Sequence, residues 1–132
     1  NQSVVGRGLL SLSQLSQLHG FIIEQFGLLG AKIDFFLFCP HIESDYCQCR
    51  KPRIGLLSSA AKILNMRISQ AIVIGDAESD MEMARRAQAL GIHVKTGISK
   101  KSQLATASFP SIVEAVNYVI EGARTPHDFN YS

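Results

Sequence analysis

Ala71-Ile72-Val73-Ile74-Gly75-Asp76-Ala77-Glu78-Ser79-Asp80 passes from apolar to polar in one step, and a glycine marks the change. Residues 71–74 read as a short buried strand, and Gly75 lets the chain turn sharply after it. Ser79 with Glu82 reads as a capping box opening a helix that runs to about Ala89. A strand, a tight turn and a helix in that order form the repeating unit of an α/β protein.

The same alternation extends both ways. Downstream, residues 92–95 suggest a short strand. Ser111 with Glu114 opens a last helix whose Ile112, Ala115, Val116, Val119 and Ile120 share a face. Upstream, Ser11 and Gln14 cap a helix carrying Leu12, Leu15, Leu18 and Ile22 on one face, ended by Gly27 and Gly30. Residues 33–38 then read as a buried strand. Leu56, Leu57, Ala60, Ala61 and Leu64 mark a helix entered after Pro52 and closed at Asn65. The expected architecture is a Rossmann-like three-layer α/β sandwich with a parallel sheet. Residues 1–122 form its domain, and 123–132 form a polar tail. Ligands in such sheets bind at the carboxyl ends of strands. The loops 1–8, 39–51 and 75–80 bring the polar residues there.

Composition narrows the partners. Of 132 residues, 46% are hydrophobic and 18% charged, which suits a packed core. Thirteen basic and eleven acidic residues leave +2 without a long run of either sign, so nucleic acid and membrane surfaces are not expected partners. The apolar region 21–38 is broken by Glu24, Lys32 and Asp34, and the start lacks a signal-peptide pattern. A cytoplasmic location follows by default. The chain opens on Asn1 rather than Met, so a piece of something longer is expected.

Cys39, His41, Cys47 and Cys49 comprise every cysteine of the chain and one histidine within eleven positions. Four such donors meet the needs of a closed tetrahedral zinc site of structural type. Three neighbouring reduced thiols, or a disulfide with a spare thiol, are the alternatives; the odd cysteine count speaks against the disulfide. His19, His93 and His127 lack such company and read as surface or packing residues.

Arg50 and Lys51 follow directly, ahead of Pro52 and a helix. A lysine held there can neutralise a phosphoryl group as a point charge, and an arginine can grip it with a fork of donors. Asp76, presented at a strand end, is a natural magnesium ligand, with Asp80 either supporting it or serving the helix start. Asn1, Gln2 and Ser3, followed by Gly6-Arg7-Gly8, suit an anion or a sugar hydroxyl.

Taken in order, Asn1-Gln2-Ser3 with Gly6-Arg7-Gly8, Cys39-Pro40-His41, Cys47-Gln48-Cys49-Arg50-Lys51-Pro52 with Gly55, and Gly75-Asp76 resemble the haloacid dehalogenase phosphatases. The class in question includes heptose bisphosphate and histidinol phosphatases. The resemblance implies a nucleophilic aspartate that forms an aspartyl-phosphate, and a second aspartate two positions on as general acid and base. It also implies Lys51 stabilising the phosphoryl group, Asp76 holding magnesium, Arg50 recognising substrate, Asn1, Gln2 and Ser3 contacting it, and Cys39, His41, Cys47 and Cys49 holding zinc. Val4 stands where the family usually has glycine. No Asp-x-Asp pair occurs in the chain, and the family places that pair upstream of its Asn-Gln-Ser element. The family's first two strands lie between those matching residues 33–38 and 71–74, so a sheet lacking them would carry a gap. The expected activity is hydrolysis of a sugar phosphomonoester, D-glycero-D-manno-heptose 1,7-bisphosphate first. The alternatives are histidinol phosphate as substrate, or a non-catalytic zinc-stabilised domain binding a phosphorylated ligand or a protein.

Overall fold

A computed structural model describes residues 2–122. The polar tail expected at 123–132 and the Asn1 contact lie outside the described residues. The chain divides into two compact units, Asn1–Arg50 and Lys51–Ser132.

In the first unit a single helical turn, α1 (Ser3–Gly6), stands where the sequence suggested a loop, and α2 (Leu12–Leu28) follows. The α2 start is a reciprocal capping box. The Gln14 N–H donates to Ser11 Oγ at 3.1 Å, and the Ser11 N–H donates to Gln14 Oε1 at 2.9 Å. Its buried face differs from the expected one: Leu15 is enclosed, whereas Leu12 and Leu18 are exposed. His19, one turn after Leu15, stacks flat on Phe36 with ring centroids 4.1 Å apart. It is a packing histidine, as its isolation in the sequence suggested.

Residues 33–38 do not form the expected strand. A strand exists through its ladder of bonds to a neighbour. Among the described residues no ladder reaches this segment, so its apolar run remains without regular structure.

The second unit holds the sheet. Helix α3 (Gly55–Ile63) precedes β1 (Ile72–Gly75), α4 (Glu78–Arg86), β2 (Leu90–Val94), β3 (Ala107–Phe109) and α5 (Ile112–Ile120). The strands are parallel in the order β1-β2-β3, with Gly75 opposite His93 and Ile92 opposite Ala107. Every residue of β2 is buried, as befits the middle strand of a parallel sheet covered on its faces. Helix α4 packs on β1 and β2, and α5 on β2 and β3. Leu90, Ile92, Val94 and Ala115 form the core, flanked by Ile74, Phe109, Tyr118 and Val119. Ala115 and Val119 of α5 face this core as read, but Ile112, Val116 and Ile120 are exposed.

Three local readings are corrected. Strand β2 starts at Leu90 rather than Ile92, because Gly91 interrupts the apolar run without interrupting the ladder. Strand β3 is short, contains Ser108 and abuts Pro110, so no apolar pattern announces it. Helix α4 starts at Glu78 and ends at Arg86, and its entry is satisfied by Asp80 rather than Ser79: the Ala77 N–H donates to Asp80 Oδ2 at 3.1 Å. The described residues contain no helix long and apolar enough to cross a membrane.

Truncating the fully enclosed Leu90 to alanine is expected to lower the unfolding free energy by about 2–5 kcal/mol. The same change at Ile98, 84% exposed, should cost less than about 0.5 kcal/mol. Urea-unfolding midpoints of the two variants check the contrast.

Candidate functional site

Residue Asp76 leaves the carboxyl end of β1 and is gripped by a second loop. Its Oδ2 accepts from the Ile98 N–H at 2.9 Å, and its carbonyl accepts from the Ser99 N–H at 3.0 Å. Gly97 passes so close that a Cβ there would overlap the Asp76 carboxylate. Only glycine permits that approach, and the approach fixes the carboxylate against backbone rather than against mobile side chains.

Asp80 lies in the first turn of α4 and is buried. One oxygen caps the helix through Ala77 and the other accepts from Lys51 Nζ. A Cβ at Gly75 would sit 2.5 Å from the Asp80 side chain, so this glycine also clears space for a carboxylate. The Lys51 side chain is 25% exposed and that of Asp80 7%, so the pair is largely withdrawn from water and its attraction is weakly screened. Lys51, Asp76 and Asp80 therefore belong to one unit. A fixed ammonium and carboxylate oxygens at a sheet's carboxyl end suit a phosphoryl group and a hard cation.

In the first unit Cys39, His41, Cys47 and Cys49 converge. Their donor atoms all lie within 4.8 Å of one another. Cys39 Sγ is 3.6 Å from both His41 Nδ1 and Cys47 Sγ, Cys49 Sγ is 3.5 Å from Cys47 Sγ, and His41 Nδ1 is 3.2 Å from Cys49 Sγ. Zinc–sulfur bonds of about 2.3 Å set the corners of a tetrahedron roughly 3.8 Å apart, so the donors fit that ion without rearrangement. Burial opposes ionisation of Cys47, yet hydrogen bonds from Cys49, Cys39 and the Arg50 and Cys49 backbone pull its thiol down to about 7. Burial pushes Cys49 up to about 12, reinforced by its hydrogen bonds to Cys39 and Cys47 and by their negative charge. Three thiolates this close repel one another, and a divalent cation among them reverses that balance.

Arg50, Gln2 and Ser3 make contacts within the first unit. Arg50 donates to the His41 carbonyl at 3.3 Å, bracing the cysteine loop. The Gln2 N–H donates to the Cys39 carbonyl at 2.8 Å, and Ser3 opens α1. Sequence reasoning passed over Gly97, Ile98 and Ser99, the loop that holds Asp76. The available signal was Gly97 three residues after a buried strand.

Comparison with known proteins bears on the family and the fold. The HAD-hydrolase-like family profile matches residues 48–121, more than half of the chain. The histidine biosynthesis bifunctional protein HisB of Blochmanniella floridana is 36% identical over 92 residues, 70% of this chain and 26% of that protein. D-glycero-beta-D-manno-heptose-1,7-bisphosphate 7-phosphatase of Pseudomonas aeruginosa is 33% identical over 97 residues, 74% of this chain and 54% of that enzyme. The chain thus spans about half the length of the second relative and about a quarter of the first. The crystal structure of D,D-heptose 1,7-bisphosphate phosphatase from B. bronchiseptica, complexed with magnesium and phosphate, superposes with a TM-score of 0.84 at 23% identity. That match covers 93% of this chain and 72% of the other, and it shows the shared fold.

Replacing Asp80 with alanine removes the lysine's buried partner and the cap of α4 together. A loss of roughly 3 kcal/mol in unfolding free energy is expected, with Asp80→Asn intermediate because it keeps an acceptor for Ala77. Glu78→Gln, at an exposed position in the same turn, serves as the control in the same denaturant titration.

Proposed function

We propose a phosphatase function for this chain, which belongs to the HAD-hydrolase-like family. Acting with a nucleophilic aspartate supplied from outside these 132 residues, it hydrolyses a phosphorylated sugar, D-glycero-D-manno-heptose 1,7-bisphosphate. The observation that carries this reading is the double use of Asp80. One buried carboxylate holds Lys51 and caps the helix whose entry turn presents Asp76.

The chemistry divides among the chain's own groups. Lys51 binds an oxygen of the phosphoryl group and offsets charge that grows there as the ester bond breaks. Asp80 keeps the ammonium at one place, so little reorganisation accompanies the reaction. Asp76 carries the magnesium, positioned by the Ile98 N–H and the Gly97 backbone. Bound magnesium supplies positive charge to the transferring oxygens. For Asn1, Gln2, Ser3 and Arg50, in the first unit, the family resemblance implies substrate contact. Cys39, His41, Cys47 and Cys49 hold a structural zinc, since four protein donors leave no open position for water.

A specific likeness keeps a second substrate in view. The HisB match is at least as identical over its length as the heptose phosphatase match. Histidinol phosphate is therefore the competing ester, and the Lys51 and Asp76 roles are the same for both.

Phosphate release by the full-length protein from both esters separates the readings. Heptose 1,7-bisphosphate is expected to turn over faster, and faster release from histidinol phosphate would select the second substrate. Lys51→Ala should lower kcat by about 100- to 1000-fold. A variant retaining full turnover would remove Lys51 from the mechanism. Were the wild type inert on both esters, the non-catalytic reading would stand instead.

Zinc has its own check. Atomic absorption should find one zinc per chain, and Cys39→Ser should lose it. Unfolding of the first unit by a chelator is expected to accompany the loss, because the energy of binding a structural zinc is folding energy.

A further inference from the structure

Residue His93 occupies the middle strand with no exposed surface, one strand across from the turn that presents Asp76. Its Nε2 lies 3.1 Å from the Ser99 carbonyl oxygen. A carbonyl only accepts, so Nε2 is the protonated donor. The other nitrogen, Nδ1, is buried and has no hydrogen-bond partner among the described residues. A buried polar atom left unsatisfied is unfavourable, and an aliphatic side chain would suit the centre of a parallel sheet better. Packing alone therefore does not account for an imidazole here.

The Nε2 bond does account for it. Ser99 accepts from His93 through its carbonyl and donates to the Asp76 carbonyl through its N–H. The preceding residue, Ile98, donates its N–H to the Asp76 carboxylate, and Gly97 lies against the same group. Lys95, Thr96, Ile98 and Lys100 around these contacts are exposed, so the loop lacks an apolar anchor of its own. The imidazole pins its far side to the sheet.

We propose that His93 is a positioning residue for Asp76, acting through the backbone of residues 97–99 to keep the carboxylate set for its cation. This rests on the reading of Asp76 as the magnesium carboxylate.

Two variants of the full-length protein test it: His93→Leu, which removes the donor, and His93→Gln, whose amide nitrogen reaches about as far as Nε2. In His93→Leu, hydrogen exchange of the Ile98 and Ser99 amides should quicken by about tenfold while Ile92 and Val94 stay protected. Manganese binding, followed by electron paramagnetic resonance, should weaken by about tenfold. His93→Gln should restore both to within roughly twofold of wild type. Unchanged exchange at Ile98 and Ser99 overturns the proposal, as does quickened exchange with manganese affinity intact. Loss of protection throughout β2 in His93→Leu also overturns it, because the ring would then be a packing group. A wild-type protein that binds no manganese would instead sink the magnesium role of Asp76, with the exchange data still deciding whether His93 clamps the loop.

Discussion

The carboxylate of Asp80 is the constraint on which the second unit's site depends. Burying a charge is costly unless every lone pair finds a donor, and here the donors are the Ala77 N–H and the Lys51 ammonium. Satisfying the charge therefore links a helix start to a residue 29 positions away. The arrangement needs Gly75, since any side chain there would occupy the place of the carboxylate. A local rule (an acid in the first turn of a helix) and a long-range ion pair are met by the same atoms. That economy makes the geometry hard to vary piecemeal.

The residues proposed to carry chemistry stand in tight local patterns. The four metal-type donors span eleven positions, and Lys51 comes two positions after the last of them. Asp76 sits at the abrupt end of an apolar run. What escaped were relations with no local signature. Residues 33–38 are as apolar as β1, but pairing, not composition, makes a strand, and no described strand pairs with them. Strand β3 forms against β2 although it is only three residues long and is interrupted by Ser108. The α2 and α5 faces were drawn too broadly, because periodicity marks a stripe and only neighbours decide how much of it is covered. Asp80 was read as either supporting Asp76 or serving the helix start; it does the second, and it pairs with Lys51 as well.

The cysteine cluster shows how a charge problem can specify a ligand. Three sulfurs and an imidazole nitrogen at contacts of 3.2–3.6 Å are too close for several thiolates and too well spread for a disulfide with a bystander. Left to themselves the thiols split, one drawn down and one driven up. A soft divalent ion is the species that lets them all ionise at those spacings. Arg50 secures the loop through the His41 carbonyl instead of through a thiolate, so its positive charge does not compete with the ion for sulfur.

Likeness to both a heptose bisphosphate phosphatase and a histidine biosynthesis protein is what the proposed division of labour would produce. On the proposed reading, Lys51, Asp76 and Asp80 act on the phosphoryl group, whose developing charge is the same whichever alcohol leaves. A site built to stabilise that charge is indifferent to the rest of the ester. Discrimination then falls to groups that touch the leaving alcohol. The family resemblance assigns that task to Gln2, Ser3 and Arg50, the first two beside Val4. Valine restricts backbone angles that glycine leaves open, and α1 begins beside it. On the proposed reading, chemistry and specificity are carried by different parts of the sequence, and the second can shift without disturbing the first.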